Sequence, residues 1–221
     1  MKGFQLPPAK PLVIAEIALA HDGSLGNAIA FIRACADAGA GAVKFQCHNR
    51  DPNTEWREGV EHPQDPLRAD YWARTGFRLD QWAMLQAEAK RCGVWFGITP
   101  FSRQALHTIK HLVDFLKIAR QHAGEPLHQM AEDTRVSVIY TGYGGLGLDC
   151  YNPQDHVGLS CHKPYIDACL AAHERGAMIF EKHICWSRKQ FGPDTPFSIT
   201  IDELAVLCQQ VERKSENVKV A

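Results

Sequence analysis

Val-Gly-Leu-Ser-Cys-His (157–162) and Met-Ile-Phe-Glu-Lys-His (178–183) are two short apolar runs that each end in an imidazole. Side chains alternate along a strand, so Ser160 and His162 share one face, as do Glu181 and His183. Laid parallel as neighbours, the two runs bring both histidines to one rim of one sheet. That arrangement is a two-point clamp for a divalent metal. The same alternation recurs upstream. Glu16 opposes Ala15 and Ile17 in Leu12–Ala18, and Lys44 and Gln46 alternate with Val43, Phe45 and Cys47 in Ala42–Cys47. Thr99 closes Val94–Thr99, and Lys117 lies between Leu116 and Ile118 in Phe115–Ala119.

Helical segments separate these strands. Asn27–Ala38 has Ser24 as its cap and Gly39 as its stop. Leu79–Arg91, Ser102–Leu112, Glu125–Glu132, Pro164–Arg175 and Asp202–Lys214 follow, with a further strand at Val136–Thr141. The polar stretch from His48 to Gly76 is too long for a routine connection and reads as a functional loop. Tyr143–Pro153 is glycine-rich and reads as irregular. Alternating strands and helices predict a parallel sheet covered by helices. The near-continuous apolar character of the strands agrees. An open sheet and a closed barrel both fit that alternation, and the polar phase decides between them. Ionisable groups are rarely buried without reason, yet here ionisable or polar groups recur on six strands at matching depth. A single such residue is commonly a paired core charge; the set points to a shared interior near the strands' C-terminal ends, where (β/α)₈ barrels build their sites. The reading is a single TIM-type (β/α) barrel domain over residues 1–221, with an N-terminal arm (1–11) and a frayed tail (216–221). At 221 residues the chain undershoots the ~250 typical of such barrels, so one β/α unit is open to loss.

Composition excludes several classes. With 24 basic and 25 acidic side chains and no basic run, nucleic acid is not implied. No segment approaches the ~20 apolar residues of a membrane span. Glu16 within the first apolar stretch argues against a secretory signal. The eight cysteines sit in periodic elements with no Cys-x-x-Cys pair, which reads as reduced thiols in a cytoplasmic protein. Gly142–Gly147 lacks the spacing of a dinucleotide fingerprint. Two lysines beside two histidines and two carboxylates suit an anionic substrate plus a metal. Cys185 shares phase with His183 and is a conceivable third ligand, although a buried thiol is the simpler reading.

The ordered motifs resemble the sialic acid synthase family, which makes N-acetylneuraminic, legionaminic and pseudaminic acids. Ala-Glu-Ile-Ala-Leu-Ala-His-Asp-Gly-Ser (15–24) resembles the family's opening motif, and Gly-Ala-Val-Lys-Phe-Gln (41–46) its second-strand motif. Thr-Pro-Phe-Ser (99–102), Phe-Leu-Lys-Ile-Ala (115–119), Thr-Gly (141–142), Gly-Leu-Ser-Cys-His (158–162), Glu-Lys-His (181–183) and Gly-Pro-Asp (192–194) continue the series. The resemblance implies a barrel enzyme that condenses phosphoenolpyruvate with an N-acetylated amino-sugar aldehyde and releases phosphate. By the same resemblance His162 and His183 would hold the metal, Mn²⁺ first, with Mg²⁺, Co²⁺ or Zn²⁺ as alternatives. The metal would polarise the aldehyde. Lys44, Thr99, Lys117 and Ser160 would bind the carboxylate and phosphate, and Gln46 would assist. Glu16 would orient water or move a proton, and Glu181 would support the metal region. Glu16, Lys44, Lys117 and Glu181 are thus the catalytic candidates.

The chain also departs from the pattern. Ala20 replaces an asparagine, Cys161 replaces the aspartate before the metal histidine, and Arg120 and His122 replace a serine and an acidic residue. The stretch 120–156 is shorter than the family's middle, and the family's C-terminal antifreeze-like domain has no counterpart. Arg120 or Arg188 is the candidate to replace an arginine which that domain contributes to the sugar, so Arg120 joins the substrate-binding set. Relatives are dimers, which leaves a homo-oligomer open. Two other readings stand beside the first. One is a barrel synthase with a different aldehyde acceptor, and the other is a catalytically impaired barrel that binds a metal or an anion.

Overall fold

The computed structural model describes residues 4–6, 8–48, 66–119, 126–141 and 145–217. Strands and helices alternate through β1 (Leu12–Ala18), α1 (Leu25–Asp37), β2 (Ala42–Cys47), α2 (Pro66–Thr75), α3 (Leu79–Arg91), β3 (Trp95–Pro100), α4 (Arg103–Ile109), β4 (Phe115–Ile118), α5 (Pro126–Glu132) and β5 (Ser137–Tyr140). They continue with β6 (Leu146–Leu148), β7 (Gly158–Cys161), α6 (Asp167–Glu174), β8 (Ile179–Cys185), a two-residue β9 (Ile199–Thr200) and α7 (Ile201–Asn217). Ser24 caps α1 as expected, its Oγ accepting from the Asn27 amide at 3.2 Å. Among the described residues no helix is long and apolar enough to cross a membrane.

The strands form one parallel sheet in the order β5-β4-β3-β2-β1-β8-β7-β6, and a single Thr141–Leu146 bridge joins its two edges. The stagger of this closure follows from the pairing. Ile14 pairs with Ala42, and Ala42 with Trp95. Two residues up β3, Gly97 leads to Phe115 and Ser137. Four residues up β5, Thr141 leads to Leu146, Gly158, Ile179 and finally Leu12, two residues below the start. One circuit therefore drifts by eight residues, which is the shear of a (β/α)₈ barrel. The barrel keeps all eight strands.

The shortening falls on the connection between β5 and β6. Among the described residues no helix separates them, and β6 starts at the height where β5 ends. Parallel neighbours ordinarily need a crossover of a dozen or more residues to return to a common level. Here the chain moves onward instead, so the two strands meet at one residue pair. The glycine-rich stretch that reads as irregular thus contains a strand. The expected loop 48–76 holds helix α2, whose Tyr71 hydroxyl donates to Leu19 O at 3.0 Å and whose Arg74 pairs with Asp22 at 2.7 Å. Gly23 has φ +79°, and a Cβ there would lie 2.7 Å from Arg74 O, so glycine is required where α2 docks. The last helix runs to Asn217, past the expected start of the frayed tail; residues 218–221 lie outside the described residues.

Alternation divides the strand residues into two environments. The outward phase (Val13, Val43, Phe45, Phe96, Ile98, Phe180) packs against Phe31, Ile32, Trp82, Leu85 and Leu207 of the helices. The lower inward phase is an apolar floor of Leu12, Ile14, Phe115, Ile139, Leu146 and Ile179. Phe4 of the N-terminal arm completes it, stacking on Phe115 with centroids 4.7 Å apart and meeting Trp95 edge-on at 5.6 Å. Gly97 leaves room for the Phe115 ring, since a Cβ there would sit 2.1 Å from it. Phe115→Ala removes the centre of this floor and should lower the unfolding free energy by about 3–5 kcal/mol, read from urea denaturation.

Candidate active site

The upper inward phase is polar, and the structure brings together every candidate it describes. Glu16, Lys44, Thr99, Lys117, Ser160, Glu181 and His183 are all buried, with Gln46 and His162 at the mouth. All of them but Ser160, which lies behind Lys117 and Glu181, line a cavity of about 230 Å³. Thr141, Phe101, Ala119 and Leu148 complete its wall. Arg120 and His122 lie outside the described residues. Arg188 is engaged elsewhere, paired with Glu203 at 2.7 Å and donating to Pro164 O at 2.9 Å.

Two interlocked ion pairs occupy the cavity floor. The Lys44 ammonium contacts the Glu16 carboxylate, donates to Thr99 Oγ1 at 2.6 Å and lies 3.7 Å from Glu181 Oε2. The Lys117 ammonium pairs with Glu181 and donates to Ser160 Oγ at 3.0 Å. Ser160 Oγ in turn donates to Glu181 Oε1 at 2.8 Å. Burial alone would raise the Glu181 pKa. The Lys117 and Lys44 ammoniums, with hydrogen bonds from Lys117 and Ser160, reverse that and hold the carboxyl well below its ordinary range. Burial pushes the Lys44 ammonium down to about 7, against the opposing pull of Glu181. The direct Glu16 contact also favours the charged form.

His162 and His183 stand together as their strand phases predict, with ring centroids 5.1 Å apart and planes at 50°. Burial is the main reason His183 is held well below its ordinary pKa, and His162 beside it adds to the effect. Burial lowers His162 too. Neutral imidazoles are the form that binds metals. Each Nδ1 is buried without a hydrogen-bond partner and faces a carboxylate: Asp149 is 3.7 Å from His162 and Asp194 is 3.8 Å from His183. Glu16 Oε1, Glu181 Oε2 and Thr141 Oγ1 are likewise buried and unpartnered. Buried polar atoms are normally satisfied, so a cluster of orphans around one cavity marks a place where a polar ligand completes the set. Two neutral imidazoles with nearby carboxylates fit a borderline divalent ion. Among the described residues no group of three or more His, Cys, Asp or Glu is arranged to hold a metal. Cys185 is no third ligand: it is fully buried, with its Sγ 3.7 Å from Ile199 O.

Three contributors escaped the sequence reading. Asp149, at the end of β6, accepts from the His162 amide. Lys182 is fully buried on the outward phase. His48 lies flat between Trp72 and Phe101, at centroid distances of 4.6 and 4.3 Å, and its Nε2 is 3.1 Å from Gln46 Oε1. An oxygen opposite it makes Nε2 the donor, which leaves the Gln46 NH₂ free to serve as a donor. The only sequence signal was that His48 shares phase with Lys44 and Gln46.

Comparison with known proteins gives the family and the fold. The NeuB family profile matches residues 31–144 and 151–220, so its one interruption falls around β6. The N,N'-diacetyllegionaminic acid synthase of Campylobacter jejuni is 26% identical over 92% of this chain and 76% of its own length. The mouse N-acetylneuraminate-9-phosphate synthase is 24% identical over 90% of this chain and 68% of its own. Among solved structures, the N-acetylneuraminic acid synthetase of Leptospira borgpetersenii superposes with a TM-score of 0.76 at 22% identity, covering 98% of this chain and 90% of that one. A spore coat polysaccharide biosynthesis protein of Bacillus subtilis gives 0.73 at 21% identity, covering 98% and 73%. At these identities the structural matches establish the fold.

Burial lowers His21 to about 4 and His48 to about 3, from an ordinary value of 6.5. Below pH 6.5 the unfolded chain therefore binds more protons than the folded one, and stability falls as pH drops towards 3. The urea midpoint should decline over that window. It should decline less in His48→Phe, which keeps a flat ring between Trp72 and Phe101.

Proposed function

This chain belongs to the NeuB family, and we propose that it condenses phosphoenolpyruvate with an N-acetylated amino-sugar aldehyde. The product is a sialic-acid-like nonulosonic acid, and phosphate is released. The observation that carries the reading is the placement of two ammonium groups and two neutral imidazoles around one cavity at the C-terminal rim of the barrel. Lys44 and Lys117, with Thr99 and Ser160 between them, bind the carboxylate and phosphate of phosphoenolpyruvate. The anion takes over hydrogen bonds that Glu16 and Glu181 receive from Lys44, Lys117 and Ser160. Gln46, turned by His48, adds a neutral donor at the mouth. Glu16 has one carboxylate oxygen without a partner and the other on Lys44. It holds the proton, or orients the water, needed where positive charge develops on the former enol carbon. His162 and His183 would hold a divalent ion, Mn²⁺ first, which would supply Lewis-acid polarisation of the aldehyde carbonyl. Glu181 keeps Lys117 and Ser160 in place beneath that region.

A second reading, a barrel synthase with a different aldehyde acceptor, is favoured by Arg120 and His122, which depart from the family pattern after the fourth strand.

The test is phosphate release by the purified chain with Mn²⁺, phosphoenolpyruvate and either N-acetylmannosamine or a shorter aldehyde. Release should require both metal and acceptor, and the preferred acceptor separates the two readings. No release with any acceptor would defeat both. His162→Ala and His183→Ala should each reduce kcat/KM by at least about 100-fold, since Lewis-acid stabilisation is worth several kcal/mol. Lys117→Met should raise KM for phosphoenolpyruvate while leaving KM for the aldehyde nearly unchanged.

A further inference from the structure

Lys182 takes no part in the chemistry above, yet it is one of the most deeply buried ionisable groups in the molecule. Alternation along β8 sends Glu181 and His183 into the barrel and Lys182 out between sheet and helices, at 0% exposure. Among the described residues it forms no ion pair with a carboxylate. Its ammonium donates instead to Cys161 O at 3.1 Å and to Lys163 O, with Cys161 Sγ at 3.8 Å. A buried ammonium matched by two carbonyls and a thiol, with no carboxylate, is an expensive way to fill space that a methionine would fill more cheaply.

The two carbonyls show what the ammonium holds in place. They flank His162. Ladder pairing between β7 and β8 ends at Cys161–Lys182, so His162 lies one residue beyond the last paired position. Beyond the ladder, side chains fix its backbone. Asp149 takes the His162 amide from one side, and Lys182 takes the carbonyls before and after it from the other. Lys182 is also the residue immediately before His183. One side chain therefore ties the backbone at the first imidazole to the strand that carries the second.

We propose that Lys182 is a positioning residue that sets the separation of His162 and His183 and thereby the affinity of the clamp for a divalent ion. This rests on the metal clamp of the proposed function. The test is Mn²⁺ titration by calorimetry, without substrates, on the wild type, Lys182→Met, Lys182→Gln and His183→Ala, with phosphoenolpyruvate binding measured in parallel. Loss of an outer-shell partner weakens metal binding by about 10–100-fold, so Lys182→Met should fall in that range. Lys182→Gln keeps one NH₂ group for a carbonyl and should fall between Met and wild type. Phosphoenolpyruvate binding should hold in both, which a general loss of structure would not allow. A folded Lys182→Met with wild-type Mn²⁺ affinity overturns the inference. If that variant does not fold, Lys182→Gln decides in the same way. A wild-type chain that binds phosphoenolpyruvate but no Mn²⁺ overturns the clamp itself and this inference with it, whereas unchanged affinity in the variants alone leaves the clamp standing.

Discussion

A stagger of eight residues around a closed sheet is the constraint on which the site depends. Because strands in such a barrel are tilted, residues at the same height are offset in register from strand to strand. Only the full circuit returns Thr141, through Leu146, Gly158 and Ile179, to the level of Leu12. That circuit turns six separate alternations into one ring of inward polar groups. It also explains how a barrel keeps its eight strands without a helix between β5 and β6. The return trip down the barrel is avoided by starting β6 where β5 stops. The consequence is local: closure rests on one bridge there, while every other seam has a run of paired residues.

The interior charges solve a problem that the chemistry creates. A cavity proposed to bind a multiply charged anion needs cations, but buried cations without partners destabilise the fold. Lys44 rests on Glu16, and Lys117 on Glu181 and Ser160, so the site balances its own charge. Each carboxylate still leaves one oxygen without a hydrogen bond. The network is thus satisfied enough to fold and unsatisfied enough to favour a ligand that brings its own donors, acceptors and charge. Breaking it one residue at a time is more disruptive than its net worth suggests, because each removal strands a buried partner.

Most of this arrangement was legible because a strand has a period of two. Glu16, Lys44, Lys117, Ser160 and Glu181 fall on the phase opposite to continuous apolar residues, and a polar residue on a consistent inward phase can be read without knowing the fold. The same rule hid Lys182. It sits on the apolar phase between Phe180 and Ile184, where a lysine carries no periodic signal and its role depends on two carbonyls of a neighbouring strand. Asp149 was hidden for another reason. Its strand has three residues set among glycines, too short for alternation to show, and its partner is a backbone amide thirteen residues away. Helix α2 was lost inside a long polar stretch because what holds it is tertiary: Tyr71 on Leu19, Arg74 on Asp22 and Trp72 on His48.

The departures from the family motifs follow the same division between strand and strand end. The residues proposed to hold phosphoenolpyruvate lie on β2, β3, β4 and β7, over a floor of Phe4, Trp95 and Phe115 that leaves little freedom to shift. The altered positions Arg120 and His122 lie beyond the end of β4 and Ala20 beyond the end of β1, while Cys161 is the last residue of β7. In barrels of this kind the strands fix the reaction centre, and the segments after them select what reaches it. A chain that keeps the strand chemistry and rewrites the strand ends therefore keeps its anion half while freeing its acceptor half to change. The 5.1 Å pair of imidazoles stands at the boundary between the two halves. Its geometry is set from the rigid side, by β8 and the ladder that ends at Cys161, while Asp149 approaches from the variable side. Acceptor choice can then change without dismantling the pair proposed to activate the acceptor.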